Sequence, residues 1–269
     1  MNEHIRSFFH SSSNESSEGH FHRVLPLHDG PDVSWNEIHP MVPTLPRGWF
    51  ELAQLPESDR IEFVCDFWLS TLPFQPRFTD FIGNFFRSLD GIGVYVTQQT
   101  FADPYEAHLV YSLSGDSGFF RGSPPITSKE EESLTKLFSH VTLPEDYLAF
   151  LRVHNGFFKY TDTGIIPSSD LPSTVQRFRQ ILTAAGTLLG PEGKPVDPFT
   201  LVPYYESFGF PCYQCFWEDW YPDQEMGNVY YCGLTHTLSD YKGTEASPEH
   251  MAFPTFLEWL MFYMEIIDF

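Results

Sequence analysis

The chain has 269 residues, of which 42% are hydrophobic and 17% aromatic, enough to build a substantial core in one or two domains. Its formal net charge of −21, from 36 acidic and 15 basic residues, argues against binding to nucleic acid or to an anionic membrane surface. The acidic charge favours a protein partner, and a basic one in particular. Four cysteines, no visible signal peptide and no apolar stretch of membrane-spanning length predict a cytoplasmic protein.

Residues 1–45 are predicted to form a flexible, low-complexity tail, because the segment SSSNESSEGH (11–20) contains almost no apolar residues. The tail contains five scattered histidines, which are His4, His10, His20, His22 and His28. Histidine-rich tails can collect metal ions, but scattered histidines in a flexible segment are usually incidental. No metal or other cofactor is therefore predicted for this region.

Residues 46–125 are predicted to form an extension that consists of helices and a β-hairpin. The helices have apolar residues at helical spacing, and the hairpin strands are rich in β-branched and aromatic residues. Helices are predicted at 56–72 and 78–89, and strands at 93–99 and 105–113. The Gly91-Ile92-Gly93 segment is too short for a phosphate-binding loop and has no accompanying lysine. The GSPP sequence at 122–125 marks a predicted domain boundary.

The third region, 126–269, opens with a predicted capping box at Ser128 and Glu131. The segment LPEDYLAFLRVHNG (143–156) predicts a short amphipathic helix, with Glu145 and Asp146 in the first turn, where the helix dipole favours anions. A further helix is predicted at 171–186, strands at 199–205, 212–220 and 228–235, and a closing helix at 254–267. This order predicts an α+β fold with a mixed or antiparallel sheet flanked by helices.

The 143–156 helix resembles the LP-x-x-Y-x-x-FL…NG signature of the SUKH superfamily, which includes yeast cell-wall-assembly regulators and bacterial immunity proteins. The matching residues are Leu143, Pro144, Tyr147, Phe150, Leu151, Asn155 and Gly156. The segments GIIPSSDL, LVPYYESFGFPCYQCFWED, GNVYYCG and FPTFLEWLMFYM then follow in the family's order. The resemblance covers about residues 126–268, and the first 125 residues have no counterpart in it. It implies an α+β binding module without a catalytic centre, of a kind that often neutralises toxins by direct contact.

The last quarter of the chain is strongly acidic, since residues 201–269 contain 11 acidic residues and one basic residue, Lys242. Carboxylates interleaved with aromatic rings can pair with arginine while burying apolar area. The predicted protein-binding surface consists of Glu206, Glu218, Asp219, Trp220, Tyr221, Asp223 and Glu225. A solvated acidic face is the alternative interpretation, and the spacing of a calcium-binding loop is absent.

Two further patterns could carry chemistry. Cys212, Cys215, Cys232 and His236 have the spacing of a zinc site, but residues i and i+3 of a strand lie about 10 Å apart on opposite faces. His154 and Asn155 could assist a nucleophile, for which Ser168, Ser169 and Cys215 are the candidates. None of these three residues lies in an activating sequence context. The sequence therefore predicts a non-catalytic protein-binding module, and more narrowly an immunity-type toxin inhibitor. The alternatives are a regulatory or scaffold protein that acts on endogenous partners and a metal-binding enzyme.

Overall fold

The computed structural model describes residues 3–9, 21–30, 32–160, 162–190, 193–239 and 251–265. Helices and antiparallel strands combine in an α+β fold in which sheet is flanked by helices, as the sequence predicts. The chain divides into two compact units, Met1–Pro125 and Ile126–Phe269. The division falls directly after the GSPP sequence at 122–125.

In the described residues of the first unit, four strands pair antiparallel with their neighbours in chain order. Its helices are α1 (Glu3–Phe8), α2 (Trp35–Ile38), α3 (Arg47–Leu52), α4 (Glu57–Thr71) and α5 (Pro76–Arg87). Its strands are β1 (Arg23–Pro26), β2 (Leu89–Gln98), β3 (Glu106–Leu113) and β4 (Phe119–Gly122). The predicted pair of helices and the predicted hairpin correspond to α4, α5, β2 and β3.

Both faces of β2 and β3 are covered, and all but one residue of each strand is buried. On one face Tyr111 contacts α4, and its hydroxyl accepts a hydrogen bond of 3.0 Å from the indole N–H of Trp68. On the other face the ring of Phe9, which directly follows α1, stacks on Tyr95 with 4.3 Å between ring centroids. Helices thus lie on both sides of this sheet.

Part of the region predicted as a flexible tail has regular structure. Phe8 and Phe9 are buried, and both rings contact Phe119 of β4. β1 pairs with β2, and the side chain of His28 is only 6% exposed. The physical reason is that a few large apolar side chains bury enough area to fix their segments, although the average composition is polar. The SSSNESSEGH segment, with His20, lies outside the described residues, as does His10.

The part of the second unit that the structure describes contains six strands, which also pair antiparallel in chain order. Its helices are α6 (Ser128–Leu137), α7 (Glu145–Leu151), α8 (Leu171–Ala185) and α9 (Phe256–Met264). Its strands are β5 (Phe157–Lys159), β6 (Gly164–Ile165), β7 (Leu201–Glu206), β8 (Cys212–Trp217), β9 (Asn228–Cys232) and β10 (Thr237–Leu238). Each element predicted from 126 onwards has a counterpart here, and the predicted end of the last helix, 266–267, lies outside the described residues.

The central strands of the second unit are sandwiched between helices. Tyr213 of β8 and Tyr231 of β9 contact Phe178 of α8 on one face. On the opposite face, Phe216 of β8 contacts Tyr147 of α7. Tyr204 of β7 reaches α9 on that same face, with a ring contact of 5.5 Å to Phe256. The alternation of strand side chains therefore divides the core into an α8 layer and a layer shared by α7 and α9.

Two predicted helix ends lie elsewhere. The capping box of α6 is formed by Thr127 and Glu130, one residue earlier than predicted, because TSKEEE offers two overlapping boxes and Thr127 has the extended backbone that a cap requires. Helix α7 ends at Leu151, since the N–H groups of residues 153 and 154 both bond to the carbonyl of Phe150. Gly156, with a φ of 114°, follows the helix end at a distance rather than terminating it.

Candidate functional site

The acidic loop, residues 218–227, connects β8 to β9 and is closed at its base by main-chain hydrogen bonds. Trp217 N–H donates to the carbonyl of Gly227 over 2.9 Å, and Gly227 N–H donates to the carbonyl of Trp220 over 2.8 Å. The ring of Trp220 covers Gly227, where an added Cβ would lie 2.7 Å from Cζ3 of the ring. Only glycine fits at this position, so the base of the loop has a fixed shape.

The outer part of the acidic loop exposes charge beside an aromatic ring. Asp219 and Asp223 are exposed, and Tyr221 between them retains 50% of its accessible surface. Glu218, Trp220 and Glu225 are half-buried. Residues 201–239 and 251–265 contain no Lys or Arg, so β7–β10 and α9 carry no basic side chain that could neutralise the loop. Six of the seven predicted contact residues are thus brought together.

The seventh predicted contact residue, Glu206, does not belong to this surface. It pairs in register with Tyr213, whereas Leu201 pairs with Trp217 beside the loop, so five residues, or about 17 Å of strand, separate it from that end of the sheet. Its carboxylate is buried, forms an ion pair with Arg177 and accepts a hydrogen bond of 3.1 Å from the Tyr213 hydroxyl. Burial of an acidic side chain requires such partners, and they make Glu206 a core residue.

The residues considered for catalysis have structural contacts. Asn155 donates its amide N–H to the Ser168 hydroxyl over 2.8 Å and accepts the Ser168 main-chain N–H over 2.8 Å. An amide cannot deprotonate a hydroxyl, so this pair fixes the chain before α8 instead of activating a nucleophile. His154 is fully buried, and its ring stacks on Phe157. These contacts give Asn155 and His154 structural roles.

Asp146 has a role that the sequence did not reveal. The sequence predicts an acid in the first turn of α7 that is favoured by the helix dipole, yet Asp146 is buried. Its carboxylate accepts hydrogen bonds from the main-chain N–H groups of Leu257 at 3.0 Å and Tyr147 at 2.8 Å. Burial raises the pKa of Asp146 to about 6, against the opposing effect of the hydrogen bond from Leu257. The carboxylate therefore caps the first turn of α9 and joins α7 to it.

The comparisons with known proteins give a single result. No protein-family model, curated protein or solved structure matches this chain. The SUKH resemblance accordingly rests on the seven signature residues and on the order of the segments after them.

Within the described residues, every helix is too short or too polar to cross a bilayer.

The three zinc-spaced cysteines are divided between the two faces of the sheet, and His236 lies in the turn between β9 and β10. Cys215 is buried in the layer that packs on α8, and Cys212, an odd number of residues away, has the opposite orientation. In the part of the chain that the structure describes, no three His, Cys, Asp or Glu side chains are placed to hold a metal. Cys212 instead faces Cys232 of β9, with 3.6 Å between the two sulfur atoms.

We expect Cys212 and Cys232 to form a disulfide when the protein is treated with diamide, which removes the two thiol hydrogens. The N–H and C=O of Cys212 bond to residues 210 and 207, so the pair with Cys232 is of the non-hydrogen-bonded type, in which side chains approach most closely. Burial disfavours the Cys232 thiolate, but hydrogen bonds from Thr235 outweigh it and lower its pKa.

Mass spectrometry of the treated, alkylated protein is the measurement, and a cross-linked peptide pair containing residues 212 and 232 is expected. Cys212→Ser should abolish it, whereas Cys65→Ser should leave it unchanged because Cys65 lies in the first unit. Alkylation of both thiols after oxidation would contradict the expectation.

Proposed function

We propose that this protein is a non-catalytic protein-binding module that recognises a basic protein partner through the acidic loop. The observation that carries the proposal is a loop of defined shape that presents Asp219, Tyr221 and Asp223 to solvent. A rigid loop loses little conformational entropy on binding, so more of the contact energy contributes to affinity.

The chemistry of the loop favours a partner surface rich in arginine. A guanidinium group can pair with a carboxylate through two hydrogen bonds and stack on a tyrosine ring at the same time. The exposed Tyr221 ring between two exposed carboxylates supplies both kinds of contact. Residues 201–239 and 251–265 contain no Lys or Arg that could compete with a cationic partner for these carboxylates.

Within this function, an immunity-type inhibitor of a basic toxin is the narrower proposal, and it rests on the resemblance of 143–156 to the SUKH signature. A regulatory or scaffold protein that uses the same loop on an endogenous partner is the second candidate. The acidic loop supports both equally. The identity of the captured partner distinguishes them, because a toxin supports the first and a component of the cell's own machinery supports the second.

Photocrosslinking in the native cell tests the proposal. A benzophenone amino acid replaces Tyr221 in one variant and Phe101, an exposed residue of the first unit, in a control. We expect a specific crosslinked protein from position 221 and none from position 101. The crosslinked protein, once identified and purified, is then used in binding measurements with the unlabelled chain.

In those measurements Asp219→Lys with Asp223→Lys should weaken binding at least about tenfold, because two attractive charges become repulsive. The matched control, Glu62→Lys with Glu132→Lys, changes the net charge equally at exposed sites outside the loop and should change the affinity little. Equal losses in the two double variants would mean that net charge alone drives binding. Unchanged affinity in the loop variant would contradict the proposal.

A further inference from the structure

Cys212 and Cys232 lie side by side at one end of the sheet in the second unit. Cys212 is the first residue of β8 and Cys232 is the last of β9, and the two pair directly in register. The chain is drawn together next to them, because Gly233 N–H donates to the carbonyl of Pro211 over 2.8 Å. A Cβ at position 233 would lie 2.3 Å from that carbonyl oxygen, so only glycine allows this approach.

The two thiols differ in their surroundings. Cys212 is buried, and burial raises the pKa of its thiol. Cys232 is only half-buried, so it is the more accessible of the two. The Cys212 S–H group donates toward the Cys232 sulfur over 3.6 Å. A thiol that keeps its proton therefore faces one that accepts a hydrogen bond.

The turn after β9 surrounds the Cys232 sulfur with hydrogen-bond donors. Burial opposes ionisation of this thiol, but donors from Thr235, both side chain and main chain, and from the main chain of Leu234 outweigh it and lower its pKa. The Thr237 hydroxyl lies 2.8 Å from that of Thr235, so it can donate to Thr235 while Thr235 donates to the sulfur. These donors stabilise a thiolate, which is the reactive form of cysteine.

We infer that Cys212 and Cys232 are a peroxide-responsive thiol pair, in which Cys232 is oxidised first and Cys212 then closes a disulfide with it. A disulfide formed under diamide requires two thiols to be close, whereas reaction with hydrogen peroxide also requires one of them to be activated. Susceptibility to peroxide follows thiolate character and exposure, and both favour Cys232 over Cys212. The pair lies at the ends of β8 and β9 opposite the acidic loop, and the inference does not rest on the function of that loop.

The reaction balances with hydrogen peroxide as the only co-reactant. The Cys232 thiolate attacks one peroxide oxygen, the O–O bond breaks, and the leaving hydroxide takes up the proton that the thiol had released, forming water. This step leaves a sulfenic acid on Cys232. The Cys212 sulfur then attacks the Cys232 sulfur, the S–O bond breaks, and the hydroxyl leaves as a second water with the Cys212 thiol proton. The two thiols lose two electrons in total, and a dithiol reductant restores them by exchange.

The backbone already has the spacing that this disulfide needs. Residues of a non-hydrogen-bonded antiparallel pair have Cα atoms about 4.5 Å apart, which lies within the range of about 4.4 to 6.8 Å found for disulfides. The sulfur atoms must approach from 3.6 Å to about 2.05 Å, a change that rotation of the two side chains supplies. The disulfide can therefore close while β8 and β9 stay paired.

Oxidation of the full chain with hydrogen peroxide, stopped at intervals with catalase, tests the inference. Mass spectrometry after alkylation follows the disulfide between residues 212 and 232 and, in the same samples, the oxidation of Cys65. Cys65 is the internal control, because burial raises its pKa and residues 1–125 contain no other cysteine. We expect the disulfide to form at least about tenfold faster than Cys65 is oxidised. Equal rates would overturn the inference, and this comparison needs no substitution.

Two single variants identify the thiol that reacts first. In Cys212→Ser no disulfide should form, and dimedone, which labels sulfenic acids, should label Cys232 as fast as the disulfide forms in the wild type. In Cys232→Ser, Cys212 should be labelled at least about tenfold more slowly, because its thiol is buried and keeps its proton. Equal labelling in the two variants would contradict the assigned order.

A third variant tests the donors around the Cys232 sulfur. Thr235→Val keeps the side-chain shape but removes the hydroxyl, so oxidation by peroxide should slow at least about threefold. Thr183→Val, at an exposed site of α8, is the matched control and should leave the rate unchanged. An unchanged rate in Thr235→Val would contradict the activation of Cys232 by this turn.

Discussion

Replacement of Asn228 by alanine is expected to lower the free energy of unfolding of the second unit by about 3 to 5 kcal/mol. Asn228 is fully buried in β9. Its side-chain oxygen accepts hydrogen bonds from the Tyr204 hydroxyl at 3.0 Å and from Gln214 Nε2 at 2.8 Å. Its amide donates to the carbonyl of Thr255 at 3.0 Å, directly before α9. One side chain thus joins β7, β8 and the start of α9.

The expected loss is large because alanine leaves several buried groups without a partner at once. The hydroxyl of Tyr204 and the carbonyl of Thr255 would each lose a hydrogen bond, and an unsatisfied buried group costs about 1 to 3 kcal/mol. Gln214 would retain its bond to the carbonyl of Met251. Removing the Asn228 side chain opens only a small void. A single water molecule in that void could not take over all the hydrogen bonds that the side chain makes.

Urea unfolding, monitored by the hydrogen exchange of peptides from β9 and α9, measures this loss in the second unit alone. Asn84→Ala is the control of matched residue type, because Asn84 is exposed in α5 of the first unit, and it should change stability by less than about 0.5 kcal/mol. A loss below about 1 kcal/mol for Asn228→Ala would mean that the network re-forms without it.

Local sequence patterns predict the helices and strands of this fold because their causes are local. The apolar spacing of 56–72 and the β-branched content of 105–113 depend on neighbouring residues in the chain, and α4 and β3 lie there. The tail was less predictable, because burial of Phe8 and Phe9 depends on Phe119, more than a hundred residues away. The average composition of a segment cannot reveal such a partner.

The candidate site illustrates the same limit. The residues of the acidic loop are contiguous, so local reasoning places six of them together. Glu206 is only twelve residues before Glu218, but its place is decided by Arg177 of α8 and by the register of β7 with β8. A cavity of about 340 Å³ in the first unit could not be predicted at all, since its lining residues, Arg60 and Ser112 among them, come from different elements. Gly91 and Gly93 are visible in the sequence, but the close approach of His28 and Glu57 to them is not.

Asp146 is expected to make the second unit less stable as the pH rises from about 4 to 6.5. Burial, with a contribution from the nearby Glu225, raises its pKa in the folded state to about 6, compared with about 3.9 in an unfolded chain. Between these values the folded state holds a proton that the unfolded state has lost, so stability falls as that proton is removed. A difference of about two pKa units corresponds to about 3 kcal/mol.

Asp146→Asn isolates this effect, because asparagine does not titrate and resembles the protonated acid in shape. Asp162, another buried acid with a raised pKa, is present in both proteins, so its contribution cancels when the unfolding free energies are subtracted. The wild-type value minus the variant value should fall by about 3 kcal/mol across this interval and stay flat above pH 7. A flat difference for Asp146→Asn would show that the hydrogen bonds to the N-terminus of α9 fully offset the cost of burial, and the carboxylate would then act as an ordinary helix cap.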